Sequence, residues 1–198
     1  MSITLIVMLG LPVLYLTGNL RKAAAAAGIG GAAFVLYFVV GGLMCLIPVT
    51  KLFSTLSVNF AGVFLFAAPA VYLAVKRDYS FRFFLASSIT VLISVSASFV
   101  SVSYTITYLP AVLCLAVSIL SVLCLNRRAP LYAPVLIGIY GIAEDIMTLL
   151  TGSASSVTLF DLIEVTTVSI VICLAASFLI ARSKRIARIP AQTEHNKG

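Results

Sequence analysis

Long apolar runs, each closed by a short polar or basic interruption, follow one another along the chain. Seven of them come close to or exceed the roughly 20 residues that a helix needs to cross a bilayer. They lie at about 3–20, 24–48, 56–75, 83–103, 108–125, 131–150 and 157–181. The interruptions are Arg21 and Lys22, then Lys51, then Lys76, Arg77, Asp78 and Arg82, then an uncharged link from Tyr104 to Thr107. Arg127 and Arg128, the polar link Thr151 to Ser156 and a basic tail complete the series. The pattern predicts an all-α, polytopic transmembrane helix bundle of about seven helices. Residues 1–182 form a single transmembrane domain in this reading, and 183–198 a basic polar cytoplasmic tail.

Composition removes the competing class. Of 198 residues, 62% are hydrophobic and 10% charged, with a mean hydropathy of +1.17. Ordinary soluble domains are roughly half apolar and a quarter charged. A globule of this size buries only about 70% of its unfolded surface, too little to hide so much apolar material. The bilayer is the expected solvent and partner.

Charge then supplies the orientation. Of the thirteen Lys and Arg residues, twelve fall on one side when alternate loops are grouped, and Lys51 alone lies opposite. Basic residues accumulate on the cytoplasmic side, so the N-terminus is expected outside, the tail inside, and the chain in the cell membrane as a multi-pass protein. The net charge of +7 acts as a topogenic signal and attracts anionic headgroups. Nucleic acid is an unsuitable partner, since the basic residues sit in short juxtamembrane clusters. Met1 to Gly18 reads as a retained helix, because Arg21 and Lys22 follow the apolar run instead of preceding it.

Within the spans, Pro12 and Pro69 predict kinks, whereas Pro134 falls in a first turn and is tolerated. Ala23 to Ala27, Gly28, Gly30, Gly31, Gly41 and Gly42 suit close helix approach in span two, or a seam with a second copy or another membrane subunit. Ser87, Thr90, Ser94, Ser98 and Ser101 make one hydroxyl stripe along span four, read as back-bonding or interhelical glue. Cys45, Cys114, Cys124 and Cys173 lie in or beside spans without CxxC spacing and read as buried thiols.

Candidate chemistry concentrates in spans six and seven, which contain Glu144, Asp145, Asp161 and Glu164, four of the six carboxylates. A charged Asp near a helix centre costs about 2.5–3.5 kcal/mol on insertion scales, so the four must face protein or water. The short link Thr151 to Ser156 makes an antiparallel hairpin, with Asp145 and Asp161 each about five residues from it. Both carboxylates are then expected roughly 8 Å below the outer boundary. Asp161 and Glu164 are expected on one helix face, while Glu144 diverges from Asp145 by about 100°. Asn59 lies at matching depth in span three, and Thr166, Thr167 and Ser169 supply hydroxyls nearby. Like charges in low dielectric cannot all ionise, so the cluster is expected to hold a proton or a cation. Asp145, Asp161, Glu164, Glu144 and Asn59 are the candidate ion-binding residues, with the identity of any metal open and no cofactor expected. The competing reading makes these residues the wet outer ends of two helices.

Three segments, SVNFAGVFLFAAPAVYLAVK at 57–76, GIYGIAEDIMTL at 138–149 and TLFDLIEVTTVSIVICLAAS at 158–177, resemble blocks of an uncharacterised family of archaeal and bacterial multi-spanning membrane proteins, a domain of unknown function. The resemblance rests on Asn59, Gly62, Pro69, Asp145, Phe160 and Asp161, and it implies no particular activity. Aspartates on a sixth and a seventh helix also resemble the arrangement of signal-peptide-peptidase-like intramembrane aspartyl proteases. The Tyr-Asp, Gly-x-Gly-Asp and Pro-Ala-Leu signatures of that class are absent here. His195 lies in the tail, which removes histidine chemistry from the membrane. The leading expectation is proton or cation binding for transport or permeation. An aspartyl protease using Asp145 and Asp161 and a non-catalytic scaffold or accessory subunit are the alternatives, and enzyme chemistry is the weaker expectation.

Overall fold

The computed structural model describes residues 3–76, 80–104, 116, 119, 120, 129–152 and 156–195. Seven helices lie among them: α1 (Ile3–Leu16), α2 (Arg21–Ala26), α3 (Gly31–Met44), α4 (Phe60–Val75), α5 (Phe81–Tyr104), α6 (Ala129–Thr151) and α7 (Ile163–His195). Three short strands, β1 (Thr50–Lys51), β2 (Leu56–Val58) and β3 (Val157–Leu159), complete the elements. Span five, at 108–125, with Cys114 and Cys124, lies almost wholly outside the described residues.

Two described helices are long and apolar enough to cross a membrane, α6 and the Ile163–Ile180 part of α7. The chain is all-helical as expected, and two of the seven expected spans reach crossing length among the described residues. α1, α3 and α4 have 14, 14 and 16 residues, short of the roughly 20 that a 30 Å crossing takes. Span two divides because Gly28 adopts φ +72°. There the Ile29 N–H donates to the Ala24 carbonyl and the Gly28 N–H to the Ala25 carbonyl, a Schellman closure that ends α2 and re-aims the chain into α3. Spans three and seven lose their first residues to β2 and β3.

The strands form one sheet in the order β1-β2-β3. β1 and β2 are an antiparallel hairpin, while β2 and β3 run parallel in the register Leu56↔Val157 and Val58↔Leu159. Each parallel strand therefore feeds a helix, β2 into α4 and β3 into α7. The α3–α4 connection and the α6–α7 connection meet at one end of the bundle.

Packing fixes the opposite end. Leu73 of α4, Phe83 of α5 and Leu131, Tyr132, Val135 and Leu136 of α6 share one apolar cluster. The charged positions Lys76 and Arg82 thus emerge at the end remote from the sheet. A second cluster joins Met8 and Leu11 of α1, Phe34 and Phe38 of α3, Leu65 of α4, and Ile170 and Leu174 of α7. Much apolar surface stays outside these cores, including Leu36, Val71, Val75, Leu92, Leu150 and Leu179.

Pro69 lies within α4 and cannot donate to the Leu65 carbonyl four residues earlier. That carbonyl accepts a hydrogen bond from the Tyr37 hydroxyl of α3 instead, at 3.0 Å. On α5, Ser87 and Thr90 of the hydroxyl stripe bond back to the carbonyls of Phe83 and Ala86 as expected, and Ser88, off the stripe, bonds back to that of Phe84. The side chains of Ser94, Ser98 and Ser101 lie outside the described set.

Candidate functional site

The acidic residues gather where α6, β3 and the start of α7 meet. Asp145 and Glu144 are half-buried on α6. The Asp145 carboxylate accepts a hydrogen bond from the Phe160 backbone N–H, and its charged neighbours are Glu144 and Asp161, both acidic. One turn back along α6, the Tyr140 hydroxyl lies beside the Glu144 carboxyl.

Asp161 differs from its expected setting. It precedes α7 in the turn after β3 and is exposed, so it does not share a helix face with Glu164. Glu164 occupies the first turn of α7 and is also exposed, where a negative charge complements the helix dipole. The physical cause is Phe160, whose φ of +62° interrupts the helical pattern read through residues 158–164.

Phe160 is held in that conformation from three directions. Its N–H is taken by Asp145, its ring packs on Phe66 at a centroid distance of 5.6 Å, and its backbone lies against Gly62. A Cβ on Gly62 would overlap the Phe160 carbonyl oxygen, and one on Gly138 would overlap the Phe66 ring. These two glycines admit the Phe66–Phe160 pair between α4 and α6. Left-handed backbone costs an L-residue about 1–2 kcal/mol, which the three contacts offset.

Asn59 takes a different role from the one its depth implied. It is 6% exposed, and its Oδ1 accepts from the N–H groups of Ala61 and Gly62 at 3.2 and 3.4 Å. Its own N–H donates to the Leu159 carbonyl. It is the N-cap of α4 tied to β3, so the oxygen that was a candidate cation ligand is engaged in the helix terminus. Thr166 and Thr167 donate to the Leu162 and Ile163 carbonyls at 2.7 Å each.

The structure therefore places Glu144 and Asp161 within electrostatic reach of Asp145 and leaves Glu164 exposed. Among the described residues, no three of His, Cys, Asp and Glu form a group that could hold a metal ion. The small cavity beneath the cluster, about 20 Å³, is lined by Gly62, Phe66, Gly138 and Phe160 and by no carboxylate. Sequence reasoning placed Phe160 only within a resemblance and missed its hold on Asp145. The i, i+4 spacing of Tyr140 and Glu144 was the one local signal for the hydroxyl beside the acid.

No protein family, curated protein or solved structure matches the chain, so the resemblance drawn for 57–76, 138–149 and 158–177 gains no support from them.

Proposed function

We propose that the chain is a multi-pass protein of the cell membrane, N-terminus outside, whose acidic end at α6 and β3 takes up protons or hydrated cations from the outer aqueous face. The membrane part is supported by the two helices of spanning length and by the arrangement of the loops. The sheet joins 50–58 to 157–159, the two loops that the charge count puts outside, while Lys76 and Arg82 emerge at the other end.

The observation that carries the ionic part is Asp145, half-buried, whose charged neighbours among the described residues are the acidic Glu144 and Asp161. Such a group is neutralised most readily by a proton or a mobile cation. The donor set favours these over a coordinated metal, since no three ligating side chains converge among the described residues.

The test has two parts. Tags should read external at the N-terminus and cytoplasmic at the C-terminus. Liposomes containing the purified protein should pass protons or monovalent cations, with Asp145→Asn abolishing the flux and Asp161→Asn reducing it. Wild-type flux in Asp145→Asn overturns the ionic reading; a cytoplasmic N-terminus overturns the orientation. A second reading, a scaffold or accessory subunit, is favoured by the exposure of Asp161 and Glu164 and by the structural bond from Phe160 to Asp145. It replaces the first if wild-type liposomes carry no flux across pH and cation series.

A further inference from the structure

One apolar space toward the remote end of the bundle has no part in the acidic site. A cavity of about 260 Å³ lies between α3, α4, α6 and α7, lined by Phe34, Tyr37, Phe64, Tyr72, Leu131 and Leu174 among others. It extends along α4 from Phe64 to Tyr72, about 12 Å at the helical rise. Its volume exceeds the roughly 150 Å³ that accommodates a benzene ring in an apolar protein cavity.

We infer that this cavity holds a hydrocarbon chain of an anionic membrane lipid, whose headgroup rests at Lys76 and Arg82. The inference rests on the membrane reading proposed above. Four observations converge on that occupant. The walls are apolar, and the Tyr37 hydroxyl is committed to the Leu65 carbonyl, so water finds too few of the partners it needs to stay. Leu36, 64% exposed on the outer side of α3, also borders the cavity, which puts its side opening on the surface that faces lipid tails. Tyr72 lines the far end, one turn before Lys76. Lys76 is exposed there, and Arg82 is exposed next to Phe83, which packs with the cavity-lining Leu131. An amphiphile with its chain inside reaches cations at the point where its head emerges, and basic residues at a membrane surface attract anionic headgroups. A zwitterionic lipid satisfies the walls but not the rim.

The experiment is native mass spectrometry of the full chain purified in detergent, with equal amounts of dioleoyl phosphatidylglycerol and dioleoyl phosphatidylcholine added. The wild type is expected to retain the phosphatidylglycerol several-fold over the phosphatidylcholine. Ala68→Phe, which fills the cavity from α4, should reduce retention of both about tenfold. Ala33→Leu fills it from α3 with a smaller change, and should show a partial loss if Ala68→Phe does not fold. Lys76→Gln combined with Arg82→Gln should keep retention and lose the headgroup preference. Undiminished retention in a folded filling variant overturns the cavity as the site, and an unchanged preference in the double Gln variant overturns the headgroup assignment. An alkaline carbonate wash separates the two levels. Wild type that stays in the membrane but retains no lipid overturns this inference alone, while wild type released by the wash overturns the membrane reading beneath it.

Discussion

Replacing Tyr37 by Phe removes one hydroxyl and little packing volume, and among the described residues that hydroxyl donates to the Leu65 carbonyl at 3.0 Å. Leu65 is 1% exposed, and Pro69 withholds the N–H that an unbroken helix offers at this position. An unsatisfied buried polar group costs about 1–3 kcal/mol. Hydrogen bonds measured inside membrane proteins average about 0.6 and reach about 1.7 kcal/mol, because the unfolded chain in lipid also finds partners. Tyr37→Phe should therefore destabilise by about 1–2 kcal/mol. Pro69→Ala restores a donor to Leu65 from within α4, so the same Tyr37→Phe change in that background should cost only a few tenths of a kcal/mol. The assay is a double-mutant cycle on equilibrium unfolding in mixed micelles, followed by far-ultraviolet circular dichroism. A coupling of about 1 kcal/mol is expected. Equal costs of Tyr37→Phe in both backgrounds would refute the repair of the proline gap.

Gly62→Ala should destabilise by about 1–3 kcal/mol, the usual range for overpacking, since its Cβ meets the Phe160 backbone; thermal unfolding checks this, and a neutral result counts against the close approach of α4 and β3. Asn59→Ala should cost about 1 kcal/mol through loss of the α4 cap, while Asn59→Asp, which keeps the acceptor, should leave the midpoint nearly unchanged.

Helices α6 and α7 were legible because their apolar runs are long and the basic residues and polar links around them are sharp. The break in span two was hidden, since Gly28 to Gly30 are read by hydropathy as small apolar filler and only their backbone angles end α2. β2 and β3 were hidden for a related reason: Leu56 to Val58 and Val157 to Leu159 continue the hydropathy of the helices that follow, and apolarity does not distinguish an extended residue from a helical one. The acidic cluster was legible as a group but not in its geometry. Residues 158–164 carry helical spacing, and only the tertiary hold on Phe160 moves Asp161 out of α7. The Tyr37–Leu65 bond left no local trace, since its partners are 28 residues apart.

The parallel pairing of β2 with β3 also sets an order of events in biogenesis. Leu56 pairs with Val157, 101 residues further along the chain, so this sheet is a high-contact-order element whose closure follows the local hairpins. β1 and β2 must wait as a partly bonded ribbon until α6 has delivered its far end. When β3 arrives, the Asn59 N–H finds the Leu159 carbonyl and the two halves of the chain are latched across their connecting loops. The latch closes only once α6 and β3 have reached the end of the bundle where β2 lies, so a formed sheet reports that both halves of the chain have packed.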